Sequence, residues 1–273
     1  MSAAIRRWSA GALIVALVVF ARGESSPSVD RAALVRDALA AYDHGVSLAR
    51  SQPEASAQSF EHAIRAFQAL RESGLRSAAL EFNLGNAHYR AGDLGRAVLS
   101  YLRAQRIRPA DSDLAANLEY VRRQVRPQIA APTTTMLLDR LADWSARASV
   151  ESRFWFSAVC ATCGWGVLVV LALARRSAAG LRATCAAVIA VGLVAATSAG
   201  WELRRDALTP VAVVVAGDQT LRTGRGAAYE AVLTEPLGPG VELRVLERRG
   251  GWSHVRLASG GVGWLPDEAI EMR

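Results

Sequence analysis

Hydrophobic and polar positions alternate on different periods along this chain. Residues 8–21 form an uncharged run of 14 behind Arg6 and Arg7. That length suits the core of an export signal better than a bilayer span, which needs about 20 residues. Ala21 and Gly23 place small residues where a signal peptidase cuts, so 1–23 is expected to be a signal peptide or an uncleaved anchor. Two longer runs, 154–174 and 183–201, have 21 and 19 residues without a charge. As helices they reach about 31 and 28 Å, the thickness of a hydrocarbon core. Transmembrane helices are expected over 153–174 and 183–203. The short loop between them, 175–182, carries Arg175, Arg176 and Arg182 and no acid, which favours the cytoplasmic side. The segments flanking the pair then share the opposite side. The two uncharged runs hold no Asp, Glu, Arg or His, so they read as an anchor and not as an ion pathway.

Between 29 and 125 the period is helical. In AALEFNLGNAHYRAGDLGRAVLSYLRAQRIRPAD at 78–111, the residues Leu84, Gly85, Gly92, Ala97, Tyr101, Ala104 and Pro109 fall where the 34-residue tetratricopeptide repeat (TPR) places its packing positions. Gly85 and Ala97 are small where two helices cross, Gly92 permits the turn, and Pro109 stops the second helix. A shift of 34 maps Asn83 and Leu84 onto Asn117 and Leu118, so 112–124 is expected to be a capping helix. The opposite shift maps Ala97 and Tyr101 onto Ala63 and Phe67, with the preceding helix displaced by about six residues through SQPEAS at 51–56. The chain's three asparagines, Asn83, Asn86 and Asn117, all lie on first helices of repeats, with Arg90 and Arg123 further along. Amides can pair with an extended peptide and arginine with a carboxylate, so Asn83, Asn86, Arg90, Asn117 and Arg123 are candidate peptide-binding residues. The competing reading is that Asn83 and Asn117 only tie helix ends to neighbouring backbone.

Segment 126–152 reads as a Pro- and Thr-rich spacer followed by an amphipathic helix with Leu137, Leu138, Leu141 and Trp144 on one face. That helix could lie on the bilayer or pack on the repeats. From 207 to 273 the period changes to that of strands. Val241, Leu243 and Val245 alternate with Glu242 and Arg244, and Gly-rich turns separate the runs, which suggests a small all-β barrel. Leu221-Arg222-Thr223-Gly224, Leu237-Gly238-Pro239-Gly240-Val241 and the pairs Gly251-Trp252 and Gly263-Trp264 resemble the bacterial SH3-like domain, with Arg225 where that family has Pro. The resemblance implies a ligand groove, for which Trp252, Trp264 and Tyr229 are the available aromatics.

Composition narrows the function classes. All 32 basic residues are arginine, against 25 acids, for a net charge of +7. The helical segment 29–126 has 14 Arg and 11 acids and the strand segment 207–273 has 7 and 8, so the excess flanks the apolar runs. That argues against nucleic acid and for membrane topology. Cys160, Cys163 and Cys185 all lie in apolar stretches and do not form a disulfide framework. The four histidines, His44, His62, His88 and His254, make no metal-ligand motif. Ser253 and His254 are neighbours on a predicted strand and point to opposite faces. No nucleophile elbow, dinucleotide loop or Walker lysine exists, so neither an enzyme nor a cofactor or metal site is expected.

The order of export signal, helical repeats, paired spans and SH3-like domain resembles the BatE-like family of the Bacteroides aerotolerance operon. The resemblance is carried by LGNAHYRAGDLGRA at 84–97, NLEYVRR at 117–123, the paired spans and the two Gly-Trp pairs. It implies a multi-pass protein of the bacterial inner membrane with both folded parts on the periplasmic side. It also implies neighbours, a MoxR-type ATPase and membrane proteins with von Willebrand A (VWA) domains. The expected function is a non-catalytic scaffold that holds protein or peptide partners. The alternative is a peptidoglycan-binding module that localises a partner hydrolase.

Overall fold

The computed structural model describes residues 31–129, 148–174 and 179–273. The expected export segment, most of the 126–152 linker, and Arg175 and Arg176 of the basic loop lie outside them. Seven helices and one small antiparallel sheet make up the described chain. Helices α1 (Arg31–Leu48) and α2 (Pro53–Glu72) form one hairpin, α3 (Ala78–Arg90) and α4 (Leu94–Ile107) a second, and α5 (Ser112–Arg122) packs on α4. Local chemistry sets these ends. Pro53 opens α2, where a missing N–H costs nothing. Asp93 and Asp111 accept hydrogen bonds from the backbone N–H of Arg96 and Leu114, capping α4 and α5. Gly92 supplies the positive φ between α3 and α4.

Both hairpins use the same contact between a glycine and an aromatic ring. A Cβ on Gly85 would lie 2.7 Å from the ring of Tyr101, and one on Gly45 would lie 2.8 Å from that of Phe60. The counterpart of Tyr101 in the first hairpin is therefore Phe60, and not Phe67 as a uniform shift of 34 suggests. The extra residues do not sit in the SQPEAS turn. They extend the second helix, since α2 has 20 residues where α4 has 14.

The sheet comprises β1 (Val211–Val214), β2 (Glu242–Arg249), β3 (Trp252–Leu257), β4 (Val262–Pro266) and β5 (Ile270–Met272), in the antiparallel order β4-β3-β2-β1-β5. It is open, whereas a barrel was expected. A single 3-10 turn, Asp267–Ala269, carries the chain from one edge strand to the other, and no ladder joins β4 to β5. The free edge of β4 is covered by a loop instead: Arg222 N–H donates to the Trp264 carbonyl and Trp264 N–H to the Arg222 carbonyl.

Helices and sheet share one core. Val98, Leu102, Val121 and Val125 cluster with Val213, Val214, Val241 and Leu243, all buried. The approach of α4 to β1 is so close that a Cβ on Gly95 would sit 2.7 Å from the Val214 carbonyl oxygen. Arg122 forks onto Glu242 at 2.6 and 3.0 Å, and Arg96 reaches Glu271 at 2.9 Å.

Helices α6 (Val150–Leu173) and α7 (Ala179–Leu208) are long and apolar enough to cross a membrane. They pack on each other through small residues: Cβ atoms on Gly164 and Gly192 would meet Ile189 at 2.5 Å and Cys160 at 2.8 Å. Both helices run past the uncharged stretches. Arg153, in the first turn of α6, is buried against Glu202 and Ser198 of α7. Asp206, near the end of α7, faces Arg106 of α4 at 3.6 Å, Arg244 of β2 at 3.7 Å, and Arg273. One carboxylate thereby joins the apolar hairpin to the helices and the sheet.

Candidate functional site

Asn83, Asn86 and Arg90 share a face of α3, and Asn117 and Arg123 lie on and just beyond α5. Asn86 and Asn117 meet. Asn86 Oδ1 accepts from the Tyr101 hydroxyl at 2.6 Å and from Asn117 Nδ2 at 3.2 Å, which links α3, α4 and α5. This triad leaves the Asn86 amide donors and the Asn117 carbonyl oxygen for other partners. Burial holds the Tyr101 hydroxyl far above the usual phenol range, so it stays a donor to Asn86. Asn83 is half-buried, and Arg90 and Arg123 are exposed.

Sequence reasoning missed the aromatic part of this face. Tyr89 and Tyr120 meet edge to face with centroids 5.8 Å apart, and Gln124 Nε2 donates to the Tyr89 hydroxyl at 3.1 Å. The neighbouring Tyr120 and the hydrogen bond from Gln124 lower the Tyr89 phenol, while the proximity of Tyr89 raises that of Tyr120. Arg90 and Arg123 both act electrostatically on Tyr120. A spacing signal was present: Tyr89 and Tyr120 are separated as Asn86 and Asn117 are, by 31 residues. The result is a surface of one exposed and one half-buried tyrosine with two exposed arginines, and with free amide groups beside it. That is suited to an extended, acidic peptide segment.

The second candidate face is on the sheet. The register pairs His254 with Trp264 and Trp252 with Pro266, so these four share one face, while Ser253, Val255 and Leu265 are buried on the other. His254 and Trp264 stack at 4.8 Å and 18°, and the Arg225 guanidinium lies 5.5 Å from the Trp264 ring centre. Arg225 thus covers Trp264, one of the aromatics expected to bind a ligand. Trp252 is half-buried and has no ring partner among the described residues. Tyr229 is exposed and leans on Gly224, where a Cβ would come within 2.4 Å of its ring. Arg222 Nη1 donates to its carbonyl at 2.7 Å. The structure brings Trp264 and His254 together and leaves Tyr229 apart, with no ring contact to either tryptophan. Ser253 Oγ donates to Asp267 at 2.5 Å, away from His254.

A polar cavity of about 540 Å³ lies between α2, α4 and β5. His88 is buried there with Nδ1 3.5 Å from Asp93. Burial pushes the Asp93 carboxyl up, but the nearby His88 ring and hydrogen bonds from the Arg96 backbone and side chain outweigh it and hold the group below its usual range. Glu81, buried nearby, goes the other way. Burial raises it, and Arg71, 4.0 Å away, offsets that only in part. A carboxyl whose folded pKa exceeds its unfolded one costs stability once the pH passes the unfolded value. Glu81→Gln is therefore expected to raise the thermal midpoint at about pH 8, with the gain vanishing below about pH 4, where the wild-type group is neutral in both states. Melting curves across that range check it, and a gain that persists in acid would contradict it.

Among the described residues no cluster of ligating side chains could hold a metal ion, and the three cysteines are unpaired. No protein-family model matches this chain, and no curated protein sequence matches it.

Proposed function

We propose that this protein is a non-catalytic scaffold of the bacterial envelope, anchored in the inner membrane by α6 and α7. In this reading α1–α5 are tetratricopeptide repeats and the sheet is an SH3-like domain, both on the extracytoplasmic side. The observation that carries it is the shared core of α4, α5 and β1. Those elements precede and follow the hairpin in the chain, so only an even number of crossings keeps them together. Outward apolar side chains on the hairpin support the anchor. Trp165, Val170, Leu173, Leu193 and Val194 are all exposed, a surface that lipid solvates and water does not. The repeated glycine–aromatic contact supports the repeat assignment. The two Gly-Trp pairs support the SH3-like one, and the open sheet is a departure from it.

The Tyr89–Tyr120 face, flanked by Arg90 and Arg123, is the peptide-holding surface. Its partner is an acidic segment of a membrane protein with a VWA domain, in a Bat-type assembly with a MoxR-type ATPase. A photo-crosslinking residue at position 120, used in native membranes, should form an adduct with such a protein. Arg90→Glu with Arg123→Glu should cut the yield roughly tenfold, the effect of about 1.4 kcal/mol. An adduct of unchanged yield in the charge-reversed variant would place the partner elsewhere.

A further inference from the structure

A cavity of about 1360 Å³ lies where the helical part meets the base of the apolar hairpin. Its two walls differ in chemistry. One carries Arg71 of α2, Arg76 of the loop that follows it, Arg103 and Arg106 of α4, and Arg273. The other is Phe154 of α6 with Ala199, Gly200 and Leu203 of α7, continuous with the outward apolar face of the hairpin. Trp155 and Trp201 are exposed at the same end of the two helices, the depth at which indoles sit among headgroups. Resting on the membrane reading above, we propose that this cavity holds the phosphodiester headgroup of an anionic glycerophospholipid, with an acyl chain lying along Phe154, Gly200 and Leu203.

Charge accounting favours an anion. The acids lining the cavity are Glu72, Glu81 and Glu151, three against five arginines. Asp206 engages Arg106 and Arg273 from outside it, and Arg103 donates to the Met272 carbonyl at 2.7 Å. Arg76 has no hydrogen-bonded or ion-pair partner among the described residues, and Arg71 has only Glu81 at 4.0 Å. Burial and the neighbouring Arg71 hold the Arg103 guanidinium below its usual range, a repulsion that a bound anion would relieve. Glu81 Oε2 accepts no hydrogen bond, and the Arg71 guanidinium stands 4.0 Å from it. Ser149 and Val150, at the start of α6, also line the cavity.

The test uses the full chain in phosphatidylcholine nanodiscs doped with phosphatidylglycerol, with co-purifying lipid counted by native mass spectrometry. Phosphatidylglycerol should be retained at roughly fivefold above its mole fraction for each arginine that engages it. Arg71→Gln with Arg76→Gln should bring it down to the mole fraction. Gly200→Leu should do the same by filling the apolar trough, and it is the safer variant for folding because a Cβ there meets nothing within 4 Å. Enrichment that survives both variants, or wild-type retention at the mole fraction in discs that did take up the protein, overturns the headgroup assignment alone. A chain that never enters phosphatidylcholine discs overturns the membrane reading and this one with it. Stabilisation by inorganic phosphate without lipid enrichment would reassign the cavity to a free anion and overturn the proposal.

Discussion

Asp206→Ala should lower the stability of the folded part by about 3 kcal/mol, a fall of roughly 10 °C in the thermal midpoint for a body of this size. Its side chain is 8% exposed and is the shared counter-charge of Arg106, Arg244 and Arg273. Removing one partner of a buried ion pair costs far more than the pair contributes, because the remaining charges stay desolvated. Here the remaining charges are three guanidiniums brought together from α4, β2 and the end of the chain. The lower end of the range applies because Arg106 is 46% exposed and water can reach it. Asp206→Asn keeps the shape and loses the charge, so it should show most of the same loss. Melting of the full chain in detergent measures both. If the asparagine variant melts like the wild type, packing and not charge holds the junction, and the electrostatic account is wrong.

Gly95→Val should have an effect of similar size by a different route. The added Cβ would lie 2.7 Å from the Val214 carbonyl oxygen and 2.8 Å from the Val215 Cα. Both are backbone atoms, so no rotamer change makes room, and α4 must move off β1. Overpacking at such a contact costs about 1–3 kcal/mol, and the upper end is expected because the core is continuous across it. Gly166→Ala is the matched control. A Cβ there meets nothing within 4 Å, and alanine favours a helix interior over glycine. Limited proteolysis should cleave between helices and sheet in the valine variant only. Equal resistance and equal melting in the two proteins would mean that α4 and β1 do not touch as described.

Most of the secondary structure was legible because it depends on local properties. The uncharged runs, the helical period around Gly85 and Tyr101, the strand alternation around Val241 and the Gly-rich turns each report on residues within a few positions of one another. The register of the first hairpin was not legible. Phe60 and Phe67 are both aromatic and both buried, and only the contact with Gly45 distinguishes them. The candidate peptide face was half legible. Its asparagines and arginines stood out by composition. Tyr89 and Tyr120 did not, since a lone tyrosine on a helix is as often packing as surface until the ring it meets on another helix is seen. On the sheet, the two tryptophans were found from their Gly-Trp pairs. That Arg225 and His254 occupy one of them depended on register and loop course.

What the amino-acid order determined by itself is the sequence of elements and which of them are apolar enough for lipid, because periodicity and charge are properties of short stretches. What only the tertiary structure decided is how the parts join. Helices and sheet, separated by some eighty residues of linker and hairpin, close a single core around Gly95 and Val214. Asp206 gathers arginines from three distant elements. Such contacts depend on matching shapes and opposed charges far apart in the chain, and no local pattern encodes that pairing.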